Sequence, residues 1–360
     1  MAFSTPSENR LIELPRGLHG HVARAEGFTC HAVLHLIADH ADHNPAALAL
    51  LAPGRAPLTY ARLHAEIREH AHVLGANGIS REDRAALLLP NGPEAAVGFL
   101  ATSAICVCAP LNFVCTANEI DAALSHLKPK VLIASPDLDA EKRAVAAKHG
   151  ISVITATPAL KREAGVFTLS ASATGRGADD VLPRPHDVAL LLYTSGTTSQ
   201  PKFVGLTHEH LYRSAENIAR ALQLSPADRC LNVMPLFHIH GIVAAILSSL
   251  HTGASVVCSS GFRGRHFFQW LQEFQPTWYT AGPTMHAAIM ARAAQHGDIL
   301  KRHSLRFIRS CSAPLPALVL RDLEHRFGVP VLEAYGMTEA AHQIACNPLP
   351  PPFASLALSV

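Results

Sequence analysis

Short apolar runs alternate with stretches of helical period along most of the chain, and Gly, Pro or small polar residues close each one. Val33, Leu36 and Ile37 share a helical face, with Thr29 as the predicted N-cap and Pro45 beyond the end. Residues 60–74 repeat that period and stop at Gly75 and Gly78. Residues 85–89 form a short apolar strand pattern, and 94–104 are helical again. Further on, 131–134, 256–258 and 278–281 are strand-like, while 284–295 and 315–327 are helical. Leu211, Ala215, Ile218 and Leu222 mark one face of a helix over 208–224. Such alternation predicts an α/β protein, layered, with largely parallel sheets flanked by helices. The polar stretch 175–185, rich in Gly, Asp and Pro, divides a first lobe (29–180) from a second (181–350), after an N-terminal extension (1–28).

Composition narrows the classes. A chain of 360 residues carries a sizeable core, and a formal charge of +2 with 16% charged residues gives no electrostatic reason for a nucleic-acid partner. The apolar run 241–247 is too short to span a bilayer, and the N-terminus lacks a continuous secretory apolar region. The 8 cysteines form no C-x-x-C and several fall in apolar runs, as expected of reduced thiols in a cytoplasmic protein. Among 23 histidines, His64, His70 and His72 share a helical stretch with Leu63, Ile67 and Leu74. They are predicted as solvated helix-face residues rather than metal ligands.

The chemistry concentrates in loops. Leu190, Leu191 and Leu192 predict a buried strand running into Tyr193-Thr194-Ser195-Gly196-Thr197-Thr198-Ser199-Gln200-Pro201-Lys202. Hydroxyl and amide donors around a glycine, with a cation at the far end, suit a polyphosphate. The bland alternative is a Ser/Thr-rich surface turn. The spacing is not that of a Walker loop, which removes a P-loop NTPase. A second strand-to-loop string, Val331-Leu332-Glu333-Ala334-Tyr335-Gly336-Met337-Thr338-Glu339, offers a ring to stack on a base and a carboxylate suited to Mg²⁺. Between them lie Met234-Pro235-Leu236-Phe237-His238-Ile239-His240-Gly241 and Arg309-Ser310-Cys311-Ser312-Ala313-Pro314.

These four strings, in this order, resemble the adenylate-forming superfamily of acyl-CoA synthetases, luciferases and peptide-synthetase adenylation domains. The Thr-Ser-Gly-Thr-Thr-Ser form, Pro-Leu-Phe-His-x-His-Gly and Tyr-Gly-Met-Thr-Glu-Ala-x-His-Gln are similar to the oxalate–CoA ligase and peroxisomal-type branch. The resemblance implies ATP and Mg²⁺ as cofactors, a carboxylic acid as substrate and CoA as co-substrate. It implies that Thr194, Ser195, Gly196, Thr197, Thr198 and Lys202 wrap the β,γ-phosphates, and that Glu339 and Thr194 hold the metal. Tyr335 would stack on adenine beside Gly336, with Ser312, Ala313, Glu333 and Ala334 completing the nucleotide site. Thr338 would reach the α-phosphate, and His238 would stand beside the carboxylate and adenylate as a catalytic residue with Thr338 and Glu339.

The polar character of the acid site implies a short polar acid. His238, His240, Ser310, Ser312 and His342 can all hydrogen-bond a second carboxylate, which an alkyl chain would leave unpaired. A dicarboxylate such as oxalate is the leading substrate; a medium-chain or aryl acid is the alternative. Phe203 replaces a glycine usual after the lysine, and a bulky residue fits there only where the backbone is extended. The family's smaller C-terminal domain, with its catalytic lysine, is expected to be missing, which leaves an inactive nucleotide-binding remnant as a further alternative. Residues 351–360 are expected to be an out-of-frame tail. A nucleotide string encoding Phe353–Val360, read in a shifted frame, gives Arg-Lys-Pro-Gly-Ser-Val-Gly, the string the family would show there.

Overall fold

The computed structural model describes residues 32–171, 183–194 and 202–350. Its strands are β1 (Leu48–Leu51), β2 (Leu58–Thr59), β3 (Arg84–Leu88), β4 (Val107–Pro110), β5 (Val131–Ala134), β6 (Ser152–Pro158), β7 (Phe167–Leu169) and β8 (Val188–Thr194). They continue as β9 (Lys202–Thr207), β10 (Arg229–Asn232), β11 (Ser255–Cys258), β12 (Trp278–Ala281), β13 (Phe307–Ser310), β14 (Val331–Met337) and β15 (His342–Cys346). One sheet has the order β15-β14-β13-β12-β10-β11-β1-β2, and the other β7-β6-β5-β3-β4-β8-β9. Pairing is parallel except at the margins, where β2, β7, β9 and β15 each run antiparallel to a neighbour. Helices cover the sheets, so β4, β5, β11 and β12 are buried along their whole length. That is why these strands read as mostly apolar runs, broken only by Ser255 and Thr280, instead of alternating patterns.

The sheets do not divide at residue 180. β1 and β2 leave the N-terminal part to join the sheet built from 229–346, while β8 and β9 cross back to join β4. The polar stretch over 175–185 is a chain feature; strand pairing decides which residues share a layer. One core cluster accordingly draws Leu50, Val97, Leu190, Val243 and Trp278 from both halves of the sequence.

Local signals mostly landed where the pattern put them. The strands at 131–134 and 278–281 match β5 and β12, and Leu211, Ala215, Ile218 and Leu222 are all buried. The first helix differs: it runs His35–His43 with Leu34 at the N-cap and no side-chain cap, so Thr29, outside the described residues, does not start it. His70 also differs. It is buried, lies 3.4 Å from the Glu66 carboxylate and stacks on Phe167 at 4.1 Å, whereas His72 is exposed and His64 is half-buried. A helical period shows which face a residue occupies; it does not show that β7 packs against that face.

Candidate functional site

The parallel strands β10, β12, β13 and β14 deliver their following loops to one edge of the sheet. Open parallel sheets bind ligands at that carboxyl edge. Strings up to about a hundred residues apart thereby meet: His238 after β10, Ser312 after β13, and Tyr335 to Glu339 at the end of β14. The β8–β9 hairpin contributes from the other sheet. Thr194 pairs with Lys202 in register, and β9 packs against the 338–340 turn. Ser195, Gly196, Thr197 and Thr198 themselves lie outside the described residues. Phe203 is settled: it sits in β9 opposite Tyr193, with ring centroids 5.0 Å apart, in extended backbone that a bulky side chain accepts.

Two cavities share Ser312 and Gly336. The larger, about 450 Å³, is lined by Ala313, Glu333, Ala334, Tyr335 and Asn347 among others. Tyr335 is 67% exposed there, an aromatic face left for a flat ligand to cover. The Glu333 carboxylate accepts the Leu315 N–H at 2.9 Å and so fixes the 311–315 loop on that wall. The smaller cavity, about 110 Å³, is lined by His238, Cys311, Ser312, Met337, Thr338 and His342.

Backbone strain gathers between them. Ser312, Ala341 and His342 take φ of 78°, 52° and 105°, values L-residues adopt only when their surroundings hold them. The Ser214 hydroxyl donates to the Ala341 carbonyl at 2.6 Å and pins that turn. Gly336 has no room for a side chain, because a Cβ would fall on the His342 carbonyl oxygen. Gly241 is similar, its missing Cβ leaving space for the Pro235 carbonyl. Gly241 lies in the first turn of a π-helix, His240–Leu247, a rare form found mostly at functional sites.

Hydrogen bonds set the tautomers of both histidines in the Pro-Leu-Phe-His-Ile-His string. The His240 backbone N–H donates to His238 Nδ1 at 3.1 Å, so His238 carries its proton on Nε2. His238 keeps contact with the cavity, and its surroundings push its pKa below the ordinary value by desolvation, which keeps the ring a neutral donor. His240 is fully buried and does not line either cavity; its Nδ1 contacts Ser312 Oγ at 2.9 Å and its Nε2 contacts Thr280 Oγ1 at 2.5 Å. Burial, then the Arg309 charge, hold His240 well below the usual histidine range. Ser310 is buried too, with no partner for its hydroxyl among the described residues. Thr338 is half-buried and Glu339 exposed on the 338–340 turn. An exposed carboxylate beside a hydroxyl is a hard oxygen set, which fits Mg²⁺ held jointly with a ligand's phosphates.

Three residues that motif reading passed over support this arrangement. Arg309 is fully buried in β13 and donates to Gln343 Oε1 at 2.9 Å. Thr280 bridges it to His240. Asn91, after β3, accepts the Leu236 N–H at 2.7 Å and donates to the Ser259 carbonyl at 3.0 Å, anchoring the loop before His238. The available signal was a lone charge inside the otherwise buried strand Phe307–Ser310. His240, Cys311 and His342 bring ligand-type atoms within 4.8 Å of one another. A metal ion is disfavoured there, because both His240 nitrogens are engaged and the Arg309 guanidinium lies 3.3 Å from Nε2.

An α/β fold of two mostly parallel sheets flanked by helices is the architecture of the N-terminal adenylate-forming domain of CoA ligases. The chain belongs to the AMP-binding enzyme family, whose model matches residues 37–358. It is 41% identical over 322 residues to an oxalate–CoA ligase of Arabidopsis thaliana, covering 88% of this chain and 62% of that protein. It is 42% identical over 309 residues to a probable CoA ligase, CCL9, of Humulus lupulus, covering 84% and 58%. The crystal structure of ATP-bound MatB from Rhodopseudomonas palustris superposes with a TM-score of 0.76 at 28% identity, covering 90% of this chain and 63% of that one. The chain thus spans about three-fifths of the length of these relatives.

Proposed function

We propose that this chain binds Mg·ATP and a small anionic carboxylic acid and joins them as an acyl-adenylate, the first half of an acid–CoA ligase reaction, with a dicarboxylate such as oxalate as the acid. The observation that carries the reading is the smaller cavity of about 110 Å³, which is lined by His238, Ser312, Thr338 and His342 among others and shares Ser312 and Gly336 with the larger one. A cavity of that size has no room for a long alkyl chain and suits a short acid. The names of the Arabidopsis relative and of the ATP-bound structure agree with both halves.

In this reading the acid's carboxylate oxygen attacks the α-phosphorus of ATP, an acyl–O–P bond forms, and pyrophosphate leaves. The His238 Nε2–H and the Thr338 hydroxyl hold the reacting carboxylate and α-phosphate together. Tyr335 covers adenine, and Ser312, Ala313, Glu333, Ala334 and Gly336 form the walls around the nucleotide. Thr194, the 195–198 residues and Lys202 receive the β,γ-phosphates. Glu339, with Thr194, would hold Mg²⁺, which neutralises phosphate charge when bound. His240, Ser310, Ser312 and His342 supply the acid end, His240 and Ser310 from behind the cavity wall. CoA is the acceptor in the whole ligase.

An apolar cavity of about 400 Å³ borders the same loop through Pro235, Leu236 and Phe237, and favours a medium-chain or aryl acid as the second reading. ATP–pyrophosphate exchange with oxalate, malonate, acetate, hexanoate and benzoate decides between them. Exchange fastest with oxalate or malonate supports the first reading, and hexanoate or benzoate in front supports the second. No exchange, with no shift of the melting midpoint by Mg·ATP, removes both. The phosphate loop has its own check. Lys202→Ala is expected to weaken Mg·ATP about tenfold or more in calorimetry, as loss of a charge-assisted contact does. Lys161→Ala, on the exposed turn between β6 and β7, should change it less than twofold; equal effects would remove the loop assignment.

A further inference from the structure

Arg309 is fully buried, yet among the described residues it pairs with no carboxylate. Its NH1 reaches His240 Nε2 at 3.3 Å and Thr280 Oγ1 at 3.4 Å, its NH2 donates to Gln343, and its Nε has no partner among the described residues. Thr280 and Arg309 are in register on neighbouring strands, so both side chains rise from the same face of the sheet toward His240. A buried cation without a counter-charge is ordinarily unfavourable, and one placed behind a small cavity awaits an anion.

The guanidinium can only donate. With Arg309 and Thr280 both facing Nε2, a proton on that nitrogen would set donor against donor at 3.3 Å, so His240 holds its proton on Nδ1. That proton goes to Ser312 Oγ at 2.9 Å. The Ser312 hydroxyl, already accepting, then has its own hydrogen to give, and it stands on the wall of the acid cavity. His342 lines the same cavity, and its buried Nδ1 has no partner among the described residues.

We propose that Arg309 is the positioning residue that makes the small cavity a receptor for a second carboxylate: through Thr280 and His240 it sets the Ser312 hydroxyl as a donor into the cavity, and its own charge selects a dianionic acid over a monoanionic one. The proposal rests on the acid-activating reading above and names the substrate class of that site. Ser312 touches the acid; Arg309 acts through it. The orientation of the chain also accounts for the strained φ of Ser312, which is kept because the Nδ1 contact holds it.

The test uses the whole chain, without nucleotide or magnesium, titrated calorimetrically with oxalate and with acetate. The wild type is expected to bind oxalate at least about tenfold tighter than acetate, and Arg309→Met to lose most of that ratio while its acetate affinity changes less than about threefold. Arg309→Lys, which keeps the charge but not the fork, should fall between them. Thr280→Val, which preserves shape, covers the case in which Arg309→Met fails to fold, and should likewise lower the oxalate preference. Histidine ¹⁵N NMR supplies a readout that a purely structural role would not move: His240 should carry its proton on Nδ1 in the wild type and in Thr280→Val, where the guanidinium still faces Nε2, and lose that preference in Arg309→Met. A folded Arg309→Met or Thr280→Val variant with an unchanged oxalate-to-acetate ratio overturns the proposal and leaves the acid-activating reading standing. A wild type that binds neither acid overturns both.

Discussion

Gly336→Ala is expected to reduce Mg·ATP binding and any pyrophosphate exchange by on the order of a hundredfold, and to lower the melting midpoint by several degrees. Its Cβ would meet the backbone carbonyl of His342, the Gln343 Cα and no flexible side-chain end, so the collision cannot be relieved by a rotamer change. β14 and β15 would have to part at the irregular register between Tyr335 and Gly336. That displacement moves Tyr335 on the wall of the larger cavity and His342 on the wall of the smaller one together. Both cavities should therefore suffer, and a variant that keeps wild-type ATP affinity would show that neither depends on this strand pair. Midpoint and calorimetry separate the local effect from global unfolding.

The second large effect is on pH. His208 and His286 are 1% and 0% exposed, and burial pushes each pKa from 6.5 down to about 4. Burial holds His240 and His342 well below the ordinary range as well. Above pH 6.5 these rings are neutral in both the folded and unfolded chain. As the pH falls below 6.5 the unfolded chain takes up protons while the folded one does not until about pH 4, so stability is lost across that window. Each of the two quantified rings contributes on the order of 3 kcal/mol to the loss, large against the 5–15 kcal/mol that typically holds a domain together. Denaturant titrations at pH 7.5, 6 and 5 should show a steep decline. His208→Gln retains an acceptor for the Val33 N–H, which donates to His208 Nδ1 at 3.3 Å, and cannot become charged; its decline should be shallower. Identical slopes for variant and wild type would show that this ring does not drive acid unfolding.

Among the described residues, no helix is long and apolar enough to cross a membrane, and the seven described cysteines are free. Cys108 and Cys230 are fully buried and held well above the usual thiol range by desolvation, so they behave as small hydrophobes.

Several features were legible in the chain itself. The 131–134 and 278–281 strands could be read because strands buried on both faces carry mostly apolar, β-branched or aromatic residues, a local property. The loop strings could be read because phosphate and carboxylate chemistry demands particular donors at short spacing, so Thr194 to Lys202 and Tyr335 to Glu339 stand out without any fold. The family followed from their order along the chain. What lay beyond sequence was everything that depends on which strand lies beside which. The return of β1 and β2 to the later sheet, and of β8 and β9 to the earlier one, is set by pairing between residues far apart in the chain, Leu50 with Val256 and Cys108 with Leu190. His70 could not be told from its exposed neighbour His72, since only the packing of Phe167 buries it. Arg309 is the sharpest case. In the sequence it is one charge preceding a Ser-Cys-Ser string; in the fold, register places it beside Thr280 and under His240, where its lack of a counter-ion acquires meaning. Local composition determined which donors and charges the loops carry, and tertiary packing decided which side chains line the two cavities and which hold those side chains in place.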